Sequence, residues 1–334
     1  MKGKFTQCVV ILAHNPIPLA ELKPLFVKFP FLRELPAAEN WEISSENAVI
    51  AYRPEVNGYV SLDTVPHSWP DHMGSPKEEP MLFATWTMGH FGPFAYPQGL
   101  QRATEQAWHW PDAKTVVPAH RAFLRLRSSY VFGGRPDMKI MPADYSSRHE
   151  LDFLLELAQC ALAHPSAICY FNSSGEVVAN AAILRESLAY NAQHHLPPLD
   201  LWCNVRLFNF NAGWLVMDTV GGWQLDMPDH EAAFPKDNFN PSEVSGFLRD
   251  TSLYILQKGE VIKNNDTMDG PGGVRWQAVK FQDSISSPPR QVYCWVPLGT
   301  RDIPSEITSR KIADAPATKP TNPEAKPVKK WWQF

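Results

Sequence analysis

Long apolar runs are missing from this sequence. The first apolar run spans only about eight residues, ends at His14-Asn15-Pro16, and is not followed by the small-residue cleavage site of a secretory signal. A membrane-spanning helix needs about 20 apolar residues. We therefore expect a cytoplasmic protein that has no membrane partner.

An excess of positive charge is also missing. The 334 residues include 31 Lys and Arg against 35 Asp and Glu, which gives a formal net charge of -4. Nucleic-acid-binding proteins normally carry a basic surface, so this balance argues against nucleic acid as a partner. Tryptophan, by contrast, is plentiful, with 12 residues. Because tryptophan is enriched at interface hot spots, this favours a protein partner.

The motifs of common catalytic sites are absent as well. The sequence has no GxxxxGK[ST] or GxGxxG phosphate loop, no GxSxG nucleophile turn and no HExxH zinc helix. The five cysteines form no CxxC pair and lie in apolar stretches, which favours buried free thiols. We therefore expect no cofactor, and the sequence favours binding over catalysis.

Local patterns predict an α+β fold in which helices cover antiparallel sheets. A near-continuous apolar run at 7–14 predicts a central strand, and Asn57-Gly58 predicts a hairpin. A short strand is expected at 81–87. Ser147-x-x-Glu150 predicts a capping box at a helix start. Asn240-Pro241 predicts the start of a helix that ends at Gly259.

An internal sequence repeat suggests that the fold contains two related strand–helix–hairpin units. The segment 59–65 ends in Asp63-Thr64-Val65, and the segment 214–220 ends in Asp218-Thr219-Val220. Each is followed by Pro-Asp-His, at 70–72 and at 228–230. We therefore expect an N-terminal unit at 1–112, a C-terminal unit at 113–305 and a tail at 306–334.

The two Pro-Asp-His segments supply candidate metal ligands if the related units face each other. The four side chains are Asp71, His72, Asp229 and His230, a two-His, two-carboxylate set that suits a divalent metal. The alternative is turn chemistry, in which Asp caps the backbone, and the sequence favours this alternative because no helical ligand spacing supports a metal site.

Alternation at 119–130 predicts a strand with one apolar and one basic face. Leu126 lies on the apolar face, while Arg121, Arg125 and Arg127 form a basic stripe on the other. The stripe could bind acidic side chains of a partner, although salt bridges within the chain are the commoner use. His120 is expected to be a core histidine that bonds to the backbone.

The last segment is rich in Ala, Pro, Lys, Thr and Glu from about residue 310, a composition that predicts disorder. Its final residues are nevertheless aromatic: Trp331, Trp332 and Phe334 follow Lys329-Lys330. Disordered tails normally lack large aromatics. The three side chains are therefore candidate partner-binding residues.

The order of several motifs resembles a bacterial family, domain of unknown function 4261. The stretches that carry the resemblance are Gly92-Pro93 with 97–110, 120–126, 167–171, 196–206, 253–259 and 265–267. The resemblance implies an architecture and a bacterial origin. It also implies a type VI secretion or polymorphic-toxin context, in which an immunity protein neutralises a toxin.

Three functions remain open at this point. The first is an immunity or adaptor protein that binds a protein partner, such as a cognate toxin or effector. The second is a metal-dependent hydrolase that uses the two Pro-Asp-His segments. The third is a scaffold that docks other proteins through its aromatic tail. The acidic balance, the tryptophan content and the missing catalytic motifs favour the first.

Overall fold

The computed structural model describes residues 2–35, 46–133 and 139–313. The α+β class is confirmed: two sheets are covered by helices. The helices are α1 Leu19–Leu22, α2 Pro80–Thr87, α3 Gly99–Glu105, α4 Ala113–Val116, α5 Ser147–Leu162, α6 Ala181–Gln193, α7 Leu199–Trp202, α8 Pro241–Lys258 and α9 Ser305–Thr308.

The first sheet has seven strands in the order β2-β3-β4-β5-β1-β6-β7, and all neighbours are antiparallel. The strands are β1 Gln7–Ala13, β2 Phe31–Leu35, β3 Asn47–Arg53, β4 Gly58–Val65, β5 Ala122–Ser129, β6 Ala167–Asn172 and β7 Val177–Ala179. The expected central strand is β1, which lies between β5 and β6.

The second sheet has six strands in the order β11-β12-β13-β10-β9-β8. They are β8 Asn204–Asn209, β9 Trp214–Val220, β10 Asp229–Pro235, β11 Thr267–Asp269, β12 Arg275–Phe281 and β13 Val292–Pro297. Strands β10 and β13 run parallel, and the other pairs are antiparallel. All strands up to β7, which ends at Ala179, thus belong to the first sheet, and all later strands belong to the second. The boundary predicted between the two units, at residues 112 and 113, lies earlier in the chain.

Strand β1 shows why both faces of the first sheet are covered. All seven of its residues are buried. Val9 and Ile11 belong to a large core that also includes α5, α8 and one face of the second sheet. Val10 and Leu12 belong to a second core under α2, α3 and α4. Because alternate side chains enter different cores, the sequence of β1 is apolar without alternation.

Local signals explain several element boundaries. The expected hairpin is present, but its turn consists of Pro54–Val56 in a 3-10 conformation and Asn57 with left-handed backbone angles (φ 60°), and Gly58 already pairs with Arg53 as the first residue of β4. Helix α8 starts at the predicted cap, where the Asn240 side chain accepts a hydrogen bond from Ser242 N, and it ends at Gly259 with φ 79°. Both ends of α8 therefore lie where the sequence predicted them.

Two expectations about local structure are wrong. The segment 81–87 belongs to helix α2 rather than to a strand, because Pro80 occupies the first helical turn and the apolar run packs only one side against the core. Helix α5 is capped by Ser146, not Ser147. Glu150 does not complete a capping box, because it is buried and accepts hydrogen bonds from Thr6 and Tyr145.

The border of the second sheet carries an unusual contact. Gln106, directly after α3, donates its side-chain amide to the carbonyl of Leu207 at 3.2 Å and accepts a hydrogen bond from the N–H of Leu207 at 3.0 Å. Leu207 lies in β8, the outermost strand. One side chain therefore satisfies both backbone groups of a residue in an edge strand.

Among the described residues, no helix combines the length and apolarity that crossing a membrane requires.

Candidate functional site

The arginines of β5 are buried, which corrects the expectation of an exposed basic stripe. The side chains of Arg125 and Arg127 are 3% and 7% exposed, and both donate to Oδ2 of Asp63, at 3.2 Å and 2.6 Å. Helices α2, α3 and α4 cover this face of the sheet. Arg121, which precedes β5, is exposed. The stripe is therefore not a continuous partner-binding surface.

Two guanidinium groups share one carboxylate in this cluster. Burial opposes ionisation of Asp63, but the two guanidiniums outweigh it and hold the pKa of Asp63 below its usual value. Burial and the neighbouring Arg125 lower the pKa of Arg127 to about 10. The Arg127 guanidinium lies 4.0 Å from the ring centroid of Phe5, and this cation–π contact replaces part of the lost hydration.

Asp218 has the same role in the second sheet that Asp63 has in the first. Arg206 donates to both carboxylate oxygens of Asp218, at 3.0 Å and 2.6 Å, and Arg290 donates to Oδ2 at 2.6 Å. All three side chains are buried. The repeated Asp-Thr-Val thus marks two strands on which a central aspartate binds two arginines. Sequence reasoning assigned no role to Arg206, which ends the stretch 196–206, or to Arg290, which lies in none of the stretches that carry the resemblance.

The second cluster extends into a layer of alternating charges. Arg206 also donates to Glu176 at 2.7 Å, and Glu176 accepts from Arg102. Arg290 also donates to Asp229 at 3.0 Å. Burial raises the pKa of Asp229, although Arg290 opposes the shift. Three guanidiniums thus meet three carboxylates, so this charged layer is balanced within itself, unlike the cluster at Asp63.

The two Pro-Asp-His segments lie in different surroundings. Asp71 accepts hydrogen bonds from the backbone N–H of Leu100 and Gln101 in α3, as in the predicted turn chemistry, and His72 is exposed. Asp229 and His230 are buried at the start of β10. The described residues contain no group of three or more His, Cys, Asp or Glu side chains that could hold a metal. The four candidate ligands therefore do not meet in one site.

The buried histidines contact neighbouring protein groups. His120 contacts the Val117 carbonyl at 2.7 Å and accepts a hydrogen bond from the N–H of Trp69 at 2.9 Å, as expected for a core histidine. His230 accepts a hydrogen bond from the indole N–H of Trp295 at 3.1 Å. Burial lowers the pKa of His230 to about 3, so its ring is neutral at pH 7.

An open groove of about 530 Å³ lies between α6, α7 and α8. Glu186, Asp200 and Asp250 line it, together with Arg249. Asp200 is oriented by hydrogen bonds from Ser187 and Asn191. The groove therefore contains three carboxylates against one guanidinium and attracts positive charge. We call it the acidic groove.

A second, smaller depression of about 240 Å³ lies above the charged layer. Phe94 and Trp223 form one wall, with ring centroids 5.6 Å apart and planes at 90°. Tyr96, Pro288 and Pro289 line it as well. We call this depression the aromatic cleft. Asp229 and Arg290 of the charged layer also line the cleft, and because both are buried we call this part of the lining its base.

A buried hydroxyl group also lines the aromatic cleft. Ser174 is 3% exposed, and its Oγ has no hydrogen-bond partner among the described residues. The neighbouring Ser173 differs, because its Oγ donates to the carbonyl of Phe91 at 2.6 Å. A buried polar group without a partner costs about 1–3 kcal/mol. The hydroxyl of Ser174 is therefore available to a ligand.

The terminal aromatic residues Trp331, Trp332 and Phe334 lie outside the described residues, so their role in partner binding stays a prediction.

Residues 218–296 match the model of a family described as Domain of unknown function (DUF4261). The segment begins at Asp218, and it includes Trp223, Asp229 and Arg290 of the charged layer and the aromatic cleft. The predicted resemblance is thus supported for this part of the chain. Searches of curated proteins and of solved structures found no significant match.

Proposed function

We propose that the chain is a cytoplasmic protein-binding protein that takes up a basic segment of its partner in the acidic groove. The observation that carries this proposal is the charge of the groove, because three carboxylates and one arginine line a volume of about 530 Å³. Complementary charge speeds encounter and selects the partner. A cavity of this charge favours lysine or arginine side chains.

Exposed aromatic side chains near the groove support the same proposal. Tyr190 lines the groove and is 58% exposed. Trp108 is 65% exposed and directly precedes His109, which also lines the groove. Tryptophan and tyrosine dominate interface hot spots because they bury much apolar area at a small cost in side-chain entropy. These two side chains would anchor a partner beside the charged contact.

The biological role that we propose is that of an immunity protein for a bacterial toxin, or of an adaptor for one. The resemblance to domain of unknown function 4261 suggested this role, and the acidic groove is compatible with it. Many proteins that act on nucleic acids carry basic surfaces, and a toxin of this kind would present the charge that the groove favours.

Charge reversal in the groove tests the proposal. The tagged full-length protein would be used to capture partners from the producing bacterium, and the Kd of each identified partner would then be measured. We expect the double variant Glu186→Lys, Asp250→Lys to bind the partner at least about tenfold more weakly, a loss of about 1.4 kcal/mol. The wild-type affinity should also fall steeply as salt is added.

The matched control is the double variant Asp283→Lys, Glu306→Lys, which makes the same change in net charge. Both residues are exposed, and neither lines the groove. We expect this variant to bind like the wild type. Equal losses in the two double variants would mean that net charge, not the groove, governs binding. Unchanged affinity in the groove variant would refute the proposal.

A further inference from the structure

The aromatic cleft is a second site, separate from the acidic groove, and its polar base defines what it can bind. Every nitrogen of Arg290 already donates within the protein: Nε to Asp229, Nη1 to the carbonyl of Pro288, and Nη2 to Asp218 and the carbonyl of Thr219. The arginine therefore has no free direction for an anionic ligand. Phosphates and carboxylates do not suit this base.

Two groups at the base remain able to bond to a ligand. Ser174 Oγ is buried and has no partner among the described residues. Oδ2 of Asp229 accepts one hydrogen bond, from Arg290, and a carboxylate oxygen can accept a second. An ionised carboxylate can accept hydrogen bonds but cannot donate them, and a hydroxyl group can also accept them. The base therefore favours a ligand that carries a hydrogen-bond donor.

The base is held rigidly before any ligand arrives. The Asn172 side chain accepts hydrogen bonds from the N–H groups of Ser174 and Gly175. Gly175 and Gly221 pack so closely that a Cβ on Gly221 would lie 2.9 Å from the Gly175 Cα and 2.6 Å from the Trp202 carbonyl. A preformed site loses little entropy when a ligand binds.

The walls and the size of the cleft indicate a flat ring. Phe94 and Trp223 stand perpendicular to each other, so that a planar ligand can stack on one ring and touch the other edge-on. The volume of about 240 Å³ is below the roughly 300–1,000 Å³ of sites for drug-sized molecules. One or two fused rings fill such a space.

We propose that the aromatic cleft binds an uncharged planar ring that carries a hydrogen-bond donor, of the phenol or indole class, with the donor directed at Ser174 and Asp229. The ring comes either from a free small molecule or from a tyrosine or tryptophan side chain. Its binding is independent of the acidic groove and of any protein partner that the groove recruits.

Binding of simple probes to the full-length protein tests this proposal. Dissociation constants would be measured by ligand-observed NMR titration for p-cresol, indole and toluene. Toluene matches p-cresol in shape but lacks the donor. We expect p-cresol and indole to bind at least about fivefold more tightly than toluene, the gain of one ordinary hydrogen bond. N-acetyltyrosinamide, added in parallel, shows whether the cleft also admits the ring when a peptide backbone is attached.

Three variants locate the site. Ser174→Ala should weaken the binding of p-cresol and narrow its advantage over toluene, because only Asp229 then remains to accept the donor, and it should leave the affinity for toluene unchanged. Trp223→Ala should weaken the binding of p-cresol, indole and toluene alike. Ser187→Ala, in the acidic groove, should change none of them. Near-ultraviolet circular dichroism would verify that each variant is folded. Equal binding of p-cresol and toluene to the wild type, no binding of either probe, or an unchanged difference between them in Ser174→Ala would overturn the proposal.

Discussion

The buried charge of Asp63 should contribute strongly to the stability of the first sheet. The carboxylate is buried and binds two guanidiniums, at 2.6 Å and 3.2 Å. At an effective dielectric constant of about 20, two unit charges 4 Å apart interact by about 4 kcal/mol before desolvation is counted. Removing one partner of a buried ion pair costs about 3–5 kcal/mol. We therefore expect Asp63→Asn, which keeps the shape but removes the charge, to lose about 3–5 kcal/mol of unfolding free energy.

Urea denaturation at pH 7, followed by circular dichroism, measures this loss. The matched control is Asp144→Asn, which removes the same charge from a pair with Arg53 whose Asp144 side chain is 67% exposed. An exposed pair contributes about 0–1 kcal/mol, so the control should stay close to the wild type. If the two variants lost equal amounts of stability, burial would not strengthen the Asp63 cluster and the reasoning would be refuted.

The same variant should change the response to acid. The pKa of Asp63 is held below its usual value in the folded protein, while an unfolded aspartate titrates near pH 3.9, about its value in model peptides. The unfolded chain therefore binds more protons at this position below about pH 4, and the stability due to Asp63 is lost as the pH falls through this range. Without that titration, Asp63→Asn should lose stability less steeply below pH 4.

Two further predictions concern buried side chains. Leu126→Ala should cost about 2–5 kcal/mol in urea denaturation, because Leu126 is fully buried in the large core; a loss under about 1 kcal/mol would mean that its site collapses without a cavity. His230 has a folded pKa of about 3 against about 6.5 unfolded, so it lowers wild-type stability as the pH falls from 6.5, by up to about 1.4 kcal/mol per pH unit. His230→Phe should reduce this slope between pH 6.5 and 4, and an unchanged slope would show that His230 is not the titrating group.

Much of the fold could be predicted because its signals are local. The apolar run of β1, the turn at Asn57 and the capped helix α8 each depend on neighbouring residues only. The prediction of a strand at 81–87 was wrong for the opposite reason. A short apolar run fits a strand or a helix equally well, and contacts with distant residues of the second core decide between them.

The candidate sites were harder to predict, because partners distant in sequence make them. Alternation in β5 correctly placed Leu126 and Arg125 on opposite faces, but the rule assumes that the polar face meets water. Asp63, 62 residues earlier in the chain, pairs with Arg125, and three helices cover both. Ser174 and Trp223 belong to no motif. Only the repeated Asp-Thr-Val pointed towards the two charge clusters, through Asp63 and Asp218.

The contact of Gln106 with Leu207 bears on how molecules of this protein behave at high concentration. The outer strand of an open sheet offers unpaired N–H and C=O groups, to which a strand from a second molecule can add. The Gln106 amide occupies both groups of Leu207, as the peptide group of an added strand would. β8 is thus blocked at this residue by a side chain of its own molecule, which opposes the addition of a strand from a second molecule along this edge of the sheet.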